Sequence, residues 1–201
     1  MHLSPTLITI LLSSLSSSLV SAETPPGFTP EAKPRLEVTF GSKPVTTPGA
    51  SFTKAETSKQ PTIGTTTPLN GTSYLWLMVD VDVPANFQNP SAPGPRKNNL
   101  HALITGFKPS STPNSAGIYE LKTAGSSTAA AGPITYTGPA PPAENPPHPH
   151  KYISLLFETK EGAPAITRQQ VGQTFGFDVN NFVKTVGLGS PVAGNWVEVG
   201  A

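Results

Sequence analysis

The chain contains no cysteine among its 201 residues. A disulfide-stapled scaffold, a zinc site with cysteine ligands and catalysis by a thiol are therefore excluded. Disulfides are most needed by secreted domains that are too small to build a hydrophobic core. A chain of this length is long enough for one domain with a sizeable core, so its stability does not require them.

Charge is also scarce, because only 12% of the residues are charged and the net charge is +1. A nucleic-acid-binding protein normally carries a basic patch, so this function is not expected. The sequence has 24 Pro and 18 Gly, which break helix interiors and exclude a helical bundle. Disorder combines low hydrophobicity with high net charge, whereas 36% of this chain is hydrophobic. The composition predicts a loop-rich, all-β domain.

The first 22 residues are expected to lie outside that domain. Leu7 to Val20 is an apolar run softened by serines, and Val20-Ser21-Ala22 places small residues before a cleavage point. This pattern predicts a secretory signal peptide over 1–22, a secreted protein and a single domain over 23–201. The run is too short and too rich in serine to span a bilayer, and no later segment is apolar enough to cross one. Asn70-Gly71-Thr72 is a sequon in a polar turn, where surface glycosylation is expected.

Hydrophobic periodicity predicts several strands and two short helices. Tyr74 to Val83 is apolar on both faces and indicates a strand inside a layered sheet. The other predicted strands are Arg35–Phe40, Leu100–Thr105, Tyr152–Glu158 and Gly194–Val199, with a short apolar piece at Ile118–Leu121, and the predicted helices are Thr167–Gly172 and Phe182–Val186.

Polar side chains with reactive groups concentrate around three of these strands. Asp80 and Asp82 end the first strand, His101 begins the next, and His150 opens the third. A buried carboxylate is costly without a partner, so we expect one for Asp80, and an imidazole is the expected type. Asp82 is equally explained as an acceptor of backbone N–H groups, and His148 as an ordinary loop residue. Trp76 and Met78 are expected in the core, and Lys43, Lys54, Lys59, Arg96 and Lys97 in solvent.

Three chemistries can use such a set of side chains: glycoside hydrolysis by paired carboxylates, metal binding by Asp and His, and anion binding by His, Tyr and loop amides. The sequence has no HExxH or GxSxG motif. Asp80 and Asp82 are too close in sequence to straddle a scissile bond. Nothing resembles an activated nucleophile, so catalysis is not expected. An anion site in a mouth stiffened by proline is favoured.

Five segments together resemble one known family, the phosphatidylethanolamine-binding proteins. Asp80-Val81-Asp82-Val83-Pro84 resembles the family's D-P-D-A-P motif, and His101 its last W-H-H histidine. Tyr136 to Pro142 resembles the G-x-G-P-P loop, and His150-Lys151-Tyr152 the H-R-Y motif. Gly189 to Gly194 resembles the A-P-V-A-G segment. The order and spacing agree over roughly residues 35–199.

The chain departs from the family pattern at several positions. Val81 and Val83 replace Pro and Ala, and Ala140 replaces the second loop glycine. Asn99 and Leu100 stand where the family usually has Trp and His.

The resemblance implies a mainly β fold, an antiparallel Greek-key sandwich with a few short peripheral helices. It also implies a monomeric, non-catalytic binding protein for a phosphate-bearing head group or another small anion, without a cofactor or metal. The alternative it implies is a protein-interaction module that inhibits a serine carboxypeptidase. The residues expected to line or shape the pocket are Asp80, Pro84, His101, Gly138, Ala140, Pro142, His150 and Tyr152.

Roles within this expected pocket follow from the chemistry of each side chain. We expect His101 and His150 to donate hydrogen bonds to the anion. Asp80 is expected to orient an imidazole and to favour its charged form, as a nearby opposite charge does. Tyr152 can donate through its hydroxyl, and its place on a strand also allows a packing role.

Overall fold

A computed structural model describes residues 23–86, 88–89, 91–123, 132–160 and 162–201. The predicted signal peptide over 1–22 lies outside these residues. The strands are β1 Glu37–Phe40, β2 Lys43–Pro44, β3 Ala50–Phe52, β4 Thr62–Thr65, β5 Tyr74–Pro84, β6 Arg96–Pro109, β7 Tyr119–Thr123, β8 His150–Glu158 and β9 Ala193–Val199, and the helices are α1 Arg168–Val171 and α2 Val179–Val186.

The strands form one hydrogen-bonded sheet in the order β2-β1-β4-β7-β6-β5-β8-β9-β3. Every neighbouring pair is antiparallel except β3 and β9, which run parallel. β5 and β8, the two most apolar strands, lie next to each other inside the sheet, where both faces of a strand are covered. Register shifts interrupt the pairing of β5 with β6 at three places, the last between Asp80 and Val83. The strand end that carries both aspartates is therefore irregular.

The sheet folds over itself into two layers. Val38 and Phe40 of β1 share one core cluster with Met78 of β5 and Tyr152 of β8, although several strands separate β1 from β8 in the sheet order. The opposite face of β5 carries Leu75, Leu77 and Val79, which pack in a second cluster with the apolar face of α2. The predicted sandwich with short peripheral helices is confirmed. Its two layers are joined through shared strands instead of being separate sheets.

Both helices begin and end where local sequence requires. Thr167 and Gln170 form a capping box at the start of α1. Asp178 caps α2, and Gly187 ends it in the left-handed conformation that glycine adopts without strain. The predicted helix over 182–186 is thus extended by three residues to Val179, because the cap lies at Asp178.

The structure lengthens one predicted strand and adds features outside the predicted strands. β6 begins at Arg96, four residues before the predicted strand Leu100–Thr105, because Arg96 and Lys97 pair with the end of β5. The segment 41–68 contains three short extended pieces, β2, β3 and β4. Residues 23–34 are packed: Glu23 N donates to Ala32 O at 2.7 Å, and Ala32 is fully buried. In the described part of the chain, no helix has the length and apolar character needed to cross a bilayer.

Candidate functional site

The predicted site residues meet at one end of the central strands. Asp80 on β5 lies between Asn99 on β6 and Tyr152 on β8 in the strand register. His101 follows Asn99 by two positions, and His150 precedes Tyr152 by two. Residues two apart on a strand face the same side of a sheet. All these side chains therefore lie on the face that carries Met78 and the core cluster shared with β1.

Asp80 and His150 form a buried pair across β5 and β8. Nδ1 of His150 lies 2.8 Å from Oδ2 of Asp80, and the two residues are 0% and 2% exposed. The other carboxylate oxygen of Asp80 accepts the N–H of Asp82 at 2.8 Å. The imidazole partner expected for Asp80 is therefore present, and both of its oxygens are hydrogen-bonded.

The second ring nitrogen of His150 meets another carboxylate. Nε2 lies 3.0 Å from Oε1 of Glu144, in the proline loop that precedes β8. A carboxylate can only accept hydrogen bonds, so both bonds form only when His150 is the doubly protonated imidazolium. Burial lowers the pKa of His150, but hydrogen bonds and charges from Asp80 and Glu144 outweigh this effect and raise the pKa above its ordinary value.

Glu144 is held chiefly by Arg96. Two parallel hydrogen bonds, each 2.8 Å, join the guanidinium to the carboxylate, and the Glu144 side chain is 3% exposed. Hydrogen bonding to Arg96 is the main reason that the pKa of Glu144 falls to about 2. Arg96 also donates to the Asp82 carbonyl at 2.8 Å. The expectation that Arg96 is merely solvated is wrong, because its guanidinium ties β6 to the loop.

His101 is a neutral imidazole, in contrast to the charged His150. Its Nδ1 donates to the Thr137 carbonyl at 2.9 Å, and its Nε2 lies 3.2 Å from the Asn99 side-chain amide nitrogen. An amide N–H donates, so Nε2 is the acceptor and the ring is neutral. Burial is the main reason that the pKa of His101 falls below its ordinary value. Both ring nitrogens are thus already engaged, and neither offers a free N–H to a ligand.

Tyr152 separates the two histidines. His101 meets its ring edge-on with centroids 5.1 Å apart, and His150 stacks at 6.5 Å. The phenol hydroxyl hydrogen-bonds with Asp80 and with the Ala140 backbone. Burial, followed by the charge of Asp80, raises the pKa of Tyr152 far above its ordinary value. The ring of Tyr152 therefore packs as expected, while its hydroxyl hydrogen-bonds with Asp80, and donation to a ligand stays a prediction.

The loop residues expected at the mouth differ in what they do. Gly138 passes so close to the 57–58 segment that a Cβ on it would lie 3.0 Å from the Thr57 carbonyl oxygen. Ala140 is exposed and has a negative φ, so its replacement of glycine causes no backbone strain. Pro142 is half-buried, whereas Pro84 is buried at the end of β5 opposite Arg96.

Asp82 and His148 lie beside the buried pair. Oδ2 of Asp82 accepts the backbone N–H of Lys151 at 2.9 Å and its ammonium at 3.3 Å. The side chain of Asp82 thus accepts a hydrogen bond from a backbone N–H, as expected, although this N–H belongs to β8 and not to its own turn. His148 is half-exposed, its Nε2 lies 3.5 Å from Asp82 and makes no hydrogen bond.

Arg96 and Glu144 were missed by the sequence reasoning. A signal was present, since Glu144 is the one acidic residue between Gly138 and His150. No cluster of three or more His, Cys, Asp or Glu able to hold a metal occurs among the described residues. A separate groove of about 510 Å³ lies on another part of the molecule, lined by residues such as Lys108, Lys160 and Leu188 and by none of the residues of the buried cluster.

Comparison with known proteins identifies the same family that the sequence motifs resemble. The family model described as phosphatidylethanolamine-binding protein matches residues 40–197. A curated relative, phomoidride biosynthesis cluster protein N of Talaromyces stipitatus, is 26% identical, and the match covers 94% of this chain and 96% of the relative.

Solved structures of similar fold include carboxypeptidase Y inhibitor in complex with its cognate proteinase, with a TM-score of 0.57 and 20% identity over 84% of each chain. The phosphatidylethanolamine-binding protein of Plasmodium vivax gives 0.54 at 19% identity, over 82% of this chain and 83% of that one. The one from Plasmodium falciparum gives 0.52 at 20%, over 87% and 90%. With the family model matching most of the chain, this protein belongs to the phosphatidylethanolamine-binding protein family.

Proposed function

We propose that this chain is a secreted, non-catalytic binding protein for a phosphate-bearing head group or another small anion. The observation that carries the proposal is the buried His150, whose Nδ1 is fixed by Asp80 and whose Nε2 faces an oxyanion, the Glu144 carboxylate. A buried imidazolium aimed at an oxyanion is the chemistry that anion recognition needs.

The surrounding residues support binding and give no sign of covalent chemistry. Asp80 fixes the ring and its charge, while Tyr152 and the neutral His101 form a rigid wall beside it. The hydroxyl of Tyr152 is held by Asp80, and burial raises its pKa, so this phenol is a poor nucleophile at neutral pH. In this proposal, His150 donates to the ligand and His101 shapes the wall.

Calorimetric titration of the purified protein with phosphoethanolamine and inorganic phosphate at pH 6 to 7 tests the proposal. We expect saturable binding that His150→Ala abolishes. His148→Ala is the matched control, because its ring neighbours His150 at 6.2 Å but makes no hydrogen bond through Nε2. Flotation with phosphatidylethanolamine vesicles separates a lipid head group from a free anion. Binding that survives in the His150 variant would remove this site from the proposal.

A second candidate is inhibition of a serine carboxypeptidase. It is favoured by the similarity in fold to carboxypeptidase Y inhibitor, which was solved bound to its proteinase. Inhibition assays with carboxypeptidase Y distinguish the candidates. Equal inhibition by the wild-type chain and the His150→Ala variant would place the interaction surface away from the buried cluster, while absence of inhibition would leave anion binding alone.

A further inference from the structure

Arg96 and His150 converge on one point from two different strands. Nη1 of Arg96 lies 2.8 Å and Nε2 of His150 lies 3.0 Å from the same oxygen, Oε1 of Glu144. Nη2 of Arg96 lies 2.8 Å from the other oxygen. Three donors on two cationic groups thus surround one carboxylate, the planar fork geometry that binds carboxylates and phosphates tightly.

Both cations are fixed independently of Glu144. His150 is oriented by Asp80, and Arg96 also donates to the carbonyl of Asp82 at 2.8 Å. β6 and β8 each pair directly with β5, which carries both of these acceptors. The donors therefore belong to the central sheet and would keep their places if the carboxylate left.

Glu144, in contrast, belongs to the proline loop, outside the strands of the sheet. Its neighbours Ala143, Asn145, Pro146 and Pro147 are exposed, while its own side chain points inward and is 3% exposed. Within the described residues, the main chain of 138–149 makes no hydrogen bond to another main-chain group. The exposed stretch 143–147 is thus attached mainly through the carboxylate that the two cations hold, while residues 138–141 make contacts of their own.

We infer that Arg96 and His150 form an oxyanion subsite whose resident ligand is Glu144, and that an external carboxylate or phosphate binds there by displacing this side chain. The inference rests on the proposed function and assigns the ligand's donors, adding Arg96 to His150. It also makes Glu144 an internal competitor. An external anion must exchange with a carboxylate that is already bound, so the affinity of the wild-type chain is reduced by this competition.

Chemical rescue of a Glu144→Ala variant tests the inference. Removing the carboxylate leaves two cationic groups facing a vacated space, which destabilises the fold until an anion replaces it. We expect acetate and phosphate to raise the melting temperature of this variant in a saturable way, and to bind it at least tenfold more tightly than they bind the wild-type chain. Chloride at matched ionic strength is the salt control. Formate, acetate, inorganic phosphate and phosphoethanolamine serve as separate arms, which distinguish carboxylates, free phosphate and head groups.

Two control variants locate the effect. Glu31→Ala removes an exposed carboxylate that has no partner among the described residues, and it should bind anions as the wild-type chain does. Glu144→Ala combined with Arg96→Ala should lose the rescue. If Glu144→Ala folds poorly, Glu144→Gln keeps the shape and removes the charge, and it should show a smaller gain in affinity.

The outcomes separate the inference from the proposed function. His150-dependent anion binding by the wild-type chain, without tighter binding by the Glu144 variants, overturns the inference and leaves the function. Anion binding that appears only in the Glu144 variants supports the oxyanion subsite of Arg96 and His150, but it overturns both displacement of Glu144 and the proposed function of the wild-type chain. In the unmodified chain, an NMR titration with phosphate should shift the amides of Glu144 and Asn145 together with the His150 ring. A shift of the ring alone contradicts displacement.

Discussion

The imidazole of His150 and the carboxylate of Asp80 lie 2.8 Å apart at one end of β5 and β8, with both side chains buried. Asp80 pairs in register with Tyr152, so the hydrogen bond runs diagonally between β5 and β8. The pair thereby joins two strands that are separated in sequence by β6, β7 and the proline loop. Its position makes it both a structural contact and the electrostatic anchor of the site.

Replacing Asp80 with Asn should destabilise the fold by about 3 kcal/mol. The variant keeps the shape but removes the charge that balances a buried imidazolium, and breaking a buried ion pair on one side is costly. Urea unfolding of the wild-type chain and the variant at pH 7 measures the difference in the free energy of unfolding. Glu31→Gln, at an exposed position, should change it by less than about 0.5 kcal/mol. An equally small loss for Asp80→Asn would contradict the pair's structural importance.

The pKa values of His150 and His101 should be shifted in opposite directions. The pKa of His150 is raised by Asp80 and Glu144 against the effect of its burial, whereas burial lowers the pKa of His101. NMR of the ring protons across pH 4 to 9 should place His150 above and His101 below the ordinary value of 6.5. In Asp80→Asn, the pKa of His150 should fall. The ionisable or polar groups that face or neighbour the His150 ring are Asp80, Glu144, Arg96, His101, His148 and Tyr152.

The pH dependence of stability follows from these directions. A raised pKa means that the folded chain binds the proton of His150 more tightly, so its contribution is complete below pH 6.5 and is lost as the pH rises through the folded value. The contribution of His101 has the opposite sign, and it is lost as the pH falls through its lowered pKa. Glu144 stabilises the fold above pH 4.5, which is its ordinary pKa, and this contribution is lost as the pH falls towards its lowered pKa of about 2. Stability that rises steadily from pH 6 to 9 would contradict the assignment for His150.

Much of the fold could be predicted because it depends on patterns within short segments. The apolar run of Tyr74 to Val83 became β5, and Tyr152 to Glu158 became most of β8. The strands β2 to β4 were not predicted individually, since they have at most four residues and contain Lys43, Pro44 and Gly64. Their strand character comes from pairing partners distant in sequence, such as Leu121 for Ile63.

The candidate site was only half predictable for a related reason. Asp80 stands at the end of a buried strand, and a buried carboxylate requires a partner, so an imidazole partner could be inferred, although not which histidine supplies it. Arg96 and Glu144 are 48 residues apart and lie in segments rich in proline and polar residues. Such segments normally face solvent. Only the three-dimensional path of the loop brings them together, and local sequence does not encode that path.

Replacing Arg96 with Lys should loosen the proline loop while the charge is preserved. An ammonium is a single point of charge and cannot reproduce the two parallel bonds to Glu144 and the bond to the Asp82 carbonyl. We expect a loss of about 1–2 kcal/mol in the free energy of unfolding and faster proteolysis within 138–149. Lys97→Arg is the matched control at the neighbouring exposed position. An unchanged cleavage rate in Arg96→Lys would show that the loop is held by other contacts.

Expression with secretion should give a mature protein that begins at Glu23 and carries a glycan on Asn70. The first main-chain hydrogen bond of the packed N-terminal segment is made by Glu23 itself, to Ala32, so cleavage after Ala22 would leave that segment intact. Asn70 is exposed in the turn before β5, where a transferase can reach it. Mass spectrometry of the intact protein before and after enzymatic deglycosylation measures both features, with Asn70→Gln as the control for the glycan. Retention of residues 1–22 in the secreted protein would refute the signal peptide, because a signal peptide is removed at export.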